Sequence, residues 1–198
     1  MAPIKEFSTA DLNTISRLNG SSNVLTKING VEVLAAAPSF VGLLDETYGS
    51  GAAAAYSTRR LASATTVLLR VRRETGGGTG DDDEADVAYD SNNILSLDSA
   101  ISNTTSSATT LGQFLNVGTV AGTTYTNPDS LTVTAPCFVD TWYDQAGSND
   151  AVQDAQGSQP QIHDGTVNTD LITENGKPEL LCNNSRFDLT STVRIRIF

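Results

Sequence analysis

The chain is short of positive charge, of imidazole and of thiol. Its 198 residues carry 12 Lys and Arg against 23 Asp and Glu, a formal net charge of −11. That balance argues against binding nucleic acid through its phosphates, which needs a basic patch. One His and two Cys are too few soft ligands for a zinc centre of the usual kind, and no metal or cofactor is expected. Cys137 and Cys182 stand far apart with no CxxC pair, so two reduced thiols are expected rather than a disulfide framework. Long apolar runs are missing as well. The best, residues 31–44, is interrupted by Pro38 and falls short of the roughly 20 residues of a membrane helix. The stretch from Met1 to Glu6 lacks the basic-then-apolar layout of a secretory leader.

What remains is 38 % hydrophobic and only 18 % charged. Uncharged Ser, Thr, Asn and Gly therefore supply most of the polar surface, as in strand- and loop-rich proteins. The first forty residues hold a short repeat. ISRLNG at 15–20 is echoed by LTKING at 25–30, each a brief alternating strand closed by Asn-Gly, a turn pair tolerant of positive φ. A lone hairpin is marginal in water. Residues 1–42 therefore read as an N-terminal β-hairpin arm that docks on another surface, with Ile15, Leu18, Leu25 and Ile28 as its anchoring residues. Residues 43–198 read as the main domain.

Within that domain, the four alanines and Leu61 of residues 52–64 predict a short helix. Residues 66–73 change to period two, with Val67, Leu69 and Val71 on one face and Arg70 and Arg72 on a basic outer face. A flexible acidic loop follows, with four glycines and one threonine at 76–80 and then Asp81, Asp82, Asp83, Glu84 and Asp86. It lacks the Lys-Ser/Thr of a phosphate loop and the ligand spacing of an EF-hand, so a solvated loop is expected and calcium is the rarer alternative. Residues 111–115 predict a helical turn, and 131–134 and 138–143 predict strands, with Pro136 favouring an edge or a bulge. The tail at 192–198 alternates Val193, Ile195 and Ile197 with Arg194 and Arg196, a strand whose Ile195 and Ile197 suit assembly with another chain. The fold class is mainly β, with one or two short helices.

Candidate chemistry is sparse. His163, the sole imidazole, runs into an Asp-Gly turn and reads as a structural hydrogen-bonding residue. Asp140, Asp144, Asp150 and Asp154 surround Trp142 and Tyr143. Acids beside aromatic rings suit carbohydrate, and a pair of carboxylates is what glycoside hydrolysis requires. The plainer alternative makes Trp142 a core residue and the aspartates turn formers.

Three segments carry a family resemblance: AAAAYSTRRL at 52–61, VLLRVRR at 67–73, and FVDTWYDQAGSND at 138–150 with QPQI at 159–162. In this order they resemble the front part of the catalytic domain of the α-L-arabinofuranosidase B family, and TENGKPEL at 173–180 is similar to its following strand. The resemblance implies a concanavalin-like β-sandwich, a jelly roll here incomplete, over residues 43–198. In that family the nucleophile and acid/base lie beyond the matched segment, so no catalytic residue carries over and no enzyme is expected. Such segments also resemble bacteriophage virion proteins, including marine and cyanobacterial ones, as does the N-terminal repeat. The implied role is a virion structural protein, tail-fibre or tail-associated, with a capsid-surface protein as the alternative. Its expected partners are other virion proteins and copies of itself, a trimer by analogy with fibres, through the arm and open sheet edges. Trp142, Tyr143 and Asp144 are the candidate glycan contacts, toward a host-surface glycan. An arabinofuranosidase-like glycosidase or a free carbohydrate-binding module are the rival readings.

Overall fold

The structure, a computed structural model, describes residues 27–28, 31–32, 40–46, 51–78, 80–183 and 185–189. The chain divides into two compact units, Met1–Phe40 and Val41–Phe198. In the first, β1 (Lys27–Ile28) pairs antiparallel with β2 (Val31–Glu32); Asn29 and Gly30 lie outside the described residues. Ile28 lies in β1. Ile15, Leu18, Leu25, Ile195 and Ile197 lie outside the described residues.

The second unit is mainly β, as expected. It is built on a sheet of β3 (Leu69–Arg73), β4 (Glu84–Val87), β5 (Ile101–Ser102), β8 (Pro136–Trp142), β9 (Ala151–Val152), β10 (Gln161–Asp164) and β13 (Asp188–Leu189), antiparallel throughout. The order is β13-β9-β8-β3-β4-β5, and β10 pairs with the start of β8 on the side where β9 pairs with its end. Two hairpins, β6 (Gly118–Val120) with β7 (Thr123–Tyr125) and β11 (Thr173–Glu174) with β12 (Lys177–Pro178), stand apart from this sheet. Among the described residues, one short helix, α1 (Leu111–Leu115), and two 3-10 turns complete the unit.

Alternation places Leu69 and Val71 of β3, Ala85 and Val87 of β4, and Cys137 and Val139 of β8 on one buried face. A second layer of Leu111, Phe114 and Leu115 from α1, Tyr125 from β7, and Leu95, Leu97, Val117 and Leu131 from connecting segments covers it. Helix α1 starts where predicted, with Thr110 Oγ1 accepting from Gln113 N–H, and ends at Asn116 in the left-handed region (φ 55°). Gly112 must be glycine, because a Cβ there would sit 2.4 Å from the Tyr125 ring.

Arg73 follows the alternation onto this apolar face and is 1 % exposed. Its guanidinium donates to Gly80 O (2.9 Å), Phe114 O (2.6 Å) and Asp83 Oδ2 (2.5 Å), and lies 4.4 Å from the centre of the Phe114 ring. The Phe114 carbonyl belongs to the last turn of α1, where backbone oxygens lack helical partners and a cation is favoured.

Several expectations are corrected. Residues 52–64 form no helix: Ala55, Thr58, Arg60 and Leu61 give their backbone groups to residues 93–95 and 144–145 instead, so tertiary partners override alanine propensity. Residues 131–134 are not a strand. Pro136 opens β8, a position where its missing N–H costs no ladder bond; β8 is an interior strand rather than an edge, but the bulge that proline favours is present beside it, the β8–β10 register shifting between Gln161 and His163. The outer face of β3 is not an exposed basic surface. Arg70 bonds Glu84 (2.7 Å) and Asp86 (2.9 Å), and Arg72 bonds Asp82 (2.7 Å) with only 4 % of its side chain exposed.

His163 is fully buried in β10. Gly165 N–H donates to its Nδ1 (3.0 Å), which leaves Nε2 to donate to Thr169 O (3.4 Å). Burial holds its pKa below the ordinary 6.5, against the opposing bond to Thr169. The contribution of neutral His163 is therefore complete above about pH 6.5 and is lost as pH falls toward the depressed value. Urea unfolding should show stability falling between pH 7 and 5, by at most about 1.4 kcal/mol per pH unit. A His163→Asn variant, which keeps the acceptor for Gly165, should be flat over that window. Replacing Arg73 by Met takes one of two donors from each of the Phe114 and Gly80 carbonyls, leaves Asp83 without its cation, and should cost about 3 kcal/mol, read as a lower urea midpoint.

Candidate functional site

The Trp142–Gly147 string leaves the end of β8 and folds back as a clasp. Asp144 is 8 % exposed, and its carboxylate accepts from the backbone N–H groups of Ala55 (2.8 Å), Ala146 (2.8 Å) and Asn149 (3.1 Å). Gln145 completes the hold. Its Oε1 accepts from Leu61 N–H (2.6 Å), its Nε2 donates to Ser57 O (3.1 Å) and Arg59 O (2.9 Å), and its own N–H donates to Ala55 O (2.8 Å). Two polar side chains thus supply residues 55–61 with the partners that a neighbouring strand would otherwise give. Burial raises the Asp144 pKa, but the backbone donors of Ala55, Ala146, Asn149 and Gly147 outweigh it, and the carboxyl titrates below the ordinary 3.8.

A bulge decides where the aromatic residues go. Arg70 faces Thr141 while Val71 faces Val139, so Asp140 is an extra residue and the alternation of β8 shifts there. Trp142 consequently lies opposite Leu69 and packs against the core, between Tyr56 (ring centres 5.8 Å apart, planes at 52°) and Phe187 (5.9 Å, 53°). Tyr143 points elsewhere. Its hydroxyl donates to Asp86 Oδ1 (2.9 Å), and burial, reinforced by that carboxylate, pushes its pKa up to about 12.

The three candidate glycan contacts are therefore divided between two hollows. Tyr143 and Asp144 line an open groove of about 600 Å³ with Asp86, Asp150 and Thr65–Val67. Trp142 lines a separate cleft of about 450 Å³ with Tyr56, Ser57, Glu174, Lys177 and Cys182. Of the four aspartates around the aromatic pair, Asp144 and Asp150 meet directly, Asp144 N–H donating to Asp150 Oδ1 (2.9 Å). Asp140 instead bonds the Thr141 hydroxyl (2.7 Å), and Asp154 is exposed.

The acidic loop is exposed at 76–78 and at Asp82, as expected, yet its acids are hydrogen-bonded. Asp81 accepts from Thr75 N–H (2.6 Å) and Gly77 N–H (2.7 Å), while Asp82, Asp83, Glu84 and Asp86 bond the three arginines of β3. Asp86 also accepts from the Asn103 side chain. Among the described residues no group of three or more His, Cys, Asp and Glu side chains is placed to hold a metal ion. Both cysteines are free: Cys137 is buried, and burial raises its thiol pKa, while Cys182 is exposed. No helix among the described residues is long and apolar enough to cross a membrane.

Sequence reasoning overlooked Tyr56, Glu174 and Lys177 as partners of Trp142. They sit inside two of the segments quoted above, but only the folded chain shows that those segments meet. Searches against family models, curated proteins and solved structures found no match to the chain.

Changing Asp144 to Asn replaces one acceptor oxygen by a donor facing backbone N–H groups, and should destabilise the unit by about 1–3 kcal/mol. Gln145→Ala should act in the same direction. Urea titration at pH 7 measures both, and below pH 4 the Asp144 deficit should shrink as the wild-type carboxyl takes up its proton.

Proposed function

We propose that the chain is a non-catalytic structural protein of a bacteriophage virion, a tail-fibre or tail-associated component whose 41–198 unit is a lectin-like β-module. The capsid surface is the alternative location. The observation that carries the reading is the use made of the Tyr143–Gln145 string. Its polar atoms hold together two stretches of backbone, and Asp144, one of the four candidate acids, is spent as an acceptor for three amides. Architecture, not turnover, consumes these groups.

Assembly is supported by apolar side chains left in solvent. At the start of the unit Val41 is 62 % exposed and Leu43 69 %, and neighbouring exposed apolar residues are what a partner surface covers. The resemblance of the N-terminal repeat to virion proteins supplies the kind of partner: other particle proteins and copies of the same chain, with a trimer the expected state. A net charge of −11 keeps a multivalent particle soluble.

Light scattering of the purified full chain should give a mass above that of the monomer, reduced by Val41→Ser with Leu43→Ser. Mass spectrometry of purified particles should find the chain among their components. A well-dispersed folded monomer, or hydrolysis of an arabinofuranosyl reporter that disappears with Asp144→Asn, overturns this reading.

A further inference from the structure

The cleft beside Trp142 joins a ring that packs on the core, and the Tyr56 ring next to it, to a rim of charged side chains that the fold leaves unused. Its floor is the Tyr56–Trp142 pair, two half-buried rings set at 52°. Its rim is formed by the β11–β12 hairpin, which presents Glu174 and Lys177, and by Glu179 just beyond. These three charged side chains make no hydrogen bond or ion pair among the described residues. That sets them apart from the Arg70, Arg72 and Arg73 cluster, where every cation is matched. The volume of about 450 Å³ falls within the roughly 300–1,000 Å³ of small-molecule sites.

We infer that this cleft is a binding site for a neutral saccharide. Aromatic rings offer the apolar faces on which sugar C–H groups pack, and the rim offers what hydroxyls need: carboxylates that accept and an ammonium that donates. Two carboxylates against one ammonium, on a chain of charge −11, disfavour acidic ligands such as phosphates or uronates. A wholly apolar ligand would desolvate three charges without replacing their hydrogen bonds. Only a ligand that is apolar on its faces and hydroxylated at its edges satisfies both. Three of the sequence segments quoted above converge here, supplying Tyr56, Trp142, and Glu174 with Lys177. The Tyr143–Asp144 groove is a weaker candidate, because Asp86, Tyr143 and Asp144 are already bonded to the protein.

The inference does not rest on a virion role, and the light-scattering test leaves it untouched. The cleft carries its own reporters. Trp142 is the sole tryptophan, so emission excited at the red edge of indole absorption, where tyrosine does not absorb, reads this site alone. Cys182 lines the cleft and is exposed while Cys137 is buried, so iodoacetamide labelling follows Cys182. The full chain is screened on a glycan array and titrated with cellotetraose, maltotetraose, mannotetraose and chitotetraose. The expected result is a neutral glycan that shifts Trp142 emission saturably and slows Cys182 alkylation over the same concentrations. Glu174→Gln with Lys177→Met, on the exposed hairpin, should weaken both effects at least tenfold at an unchanged urea midpoint. No binding to any array glycan or oligosaccharide, binding that leaves Cys182 unprotected, or binding unchanged in the rim variant each overturns the proposal.

Discussion

Arg73 is a cation placed on the apolar side of an interior strand, and much of the unit is arranged around the need to satisfy it. A guanidinium out of water requires acceptors for its donors, or the cost is several kcal/mol. The acceptors come from two separate places: the 80–83 turn, through Gly80 O and Asp83, and the last turn of α1, through Phe114 O. One side chain thus ties the β3–β4 connection to the layer that covers the sheet. Asn127 adds a second bond to the same helix end, donating to Gln113 O (2.9 Å). A five-residue helix is too short to persist by its own hydrogen bonds. Here its termini are held by Thr110 and Asn116, and its final carbonyls by Asn127 and Arg73.

The same strand explains the charge pattern. Arg70 and Arg72 face the other side of the sheet, and the acids from Asp82 to Asp86 bond all three arginines. The acidic run therefore reads differently once folded. It is the counter-charge of a strand rich in arginine, not a field waiting for a cation. Arg72 illustrates the degree of commitment: Gln159 Oε1 accepts from its Nε (3.0 Å) and Asp82 from its Nη1.

Much of this was legible in the sequence. The alternation of 66–73 and 138–143 marks β3 and β8, and Leu111–Leu115 marks α1. The failures have a common cause. Residues 52–64 are helical by propensity, yet their backbone is claimed by Asp144, Gln145 and residues 93–95, partners up to 89 positions away. No local window contains that information. The bulge at Asp140 is equally silent, since it depends on how β3 and β8 pair. Its effect on the candidate site is large: the three consecutive residues Trp142, Tyr143 and Asp144 are split between a cleft and a groove.

That split links architecture to the cleft. Tyr56, which frames one side of Trp142, donates its hydroxyl to the Asn149 carbonyl, and Asn149 N–H is held by Asp144. Ser57 O, which accepts from Trp142 Nε1 (3.4 Å), also accepts from Gln145. The clasp therefore positions both rings of the cleft without lining it. A buried carboxylate that fixes backbone is a stiff support, because its geometry is set by several amides at once. Pre-set rings spare a ligand the cost of ordering them. On this view the Tyr-Asp-Gln string and the Trp before it are one device, the polar residues holding the frame and the aromatic residue presenting the surface.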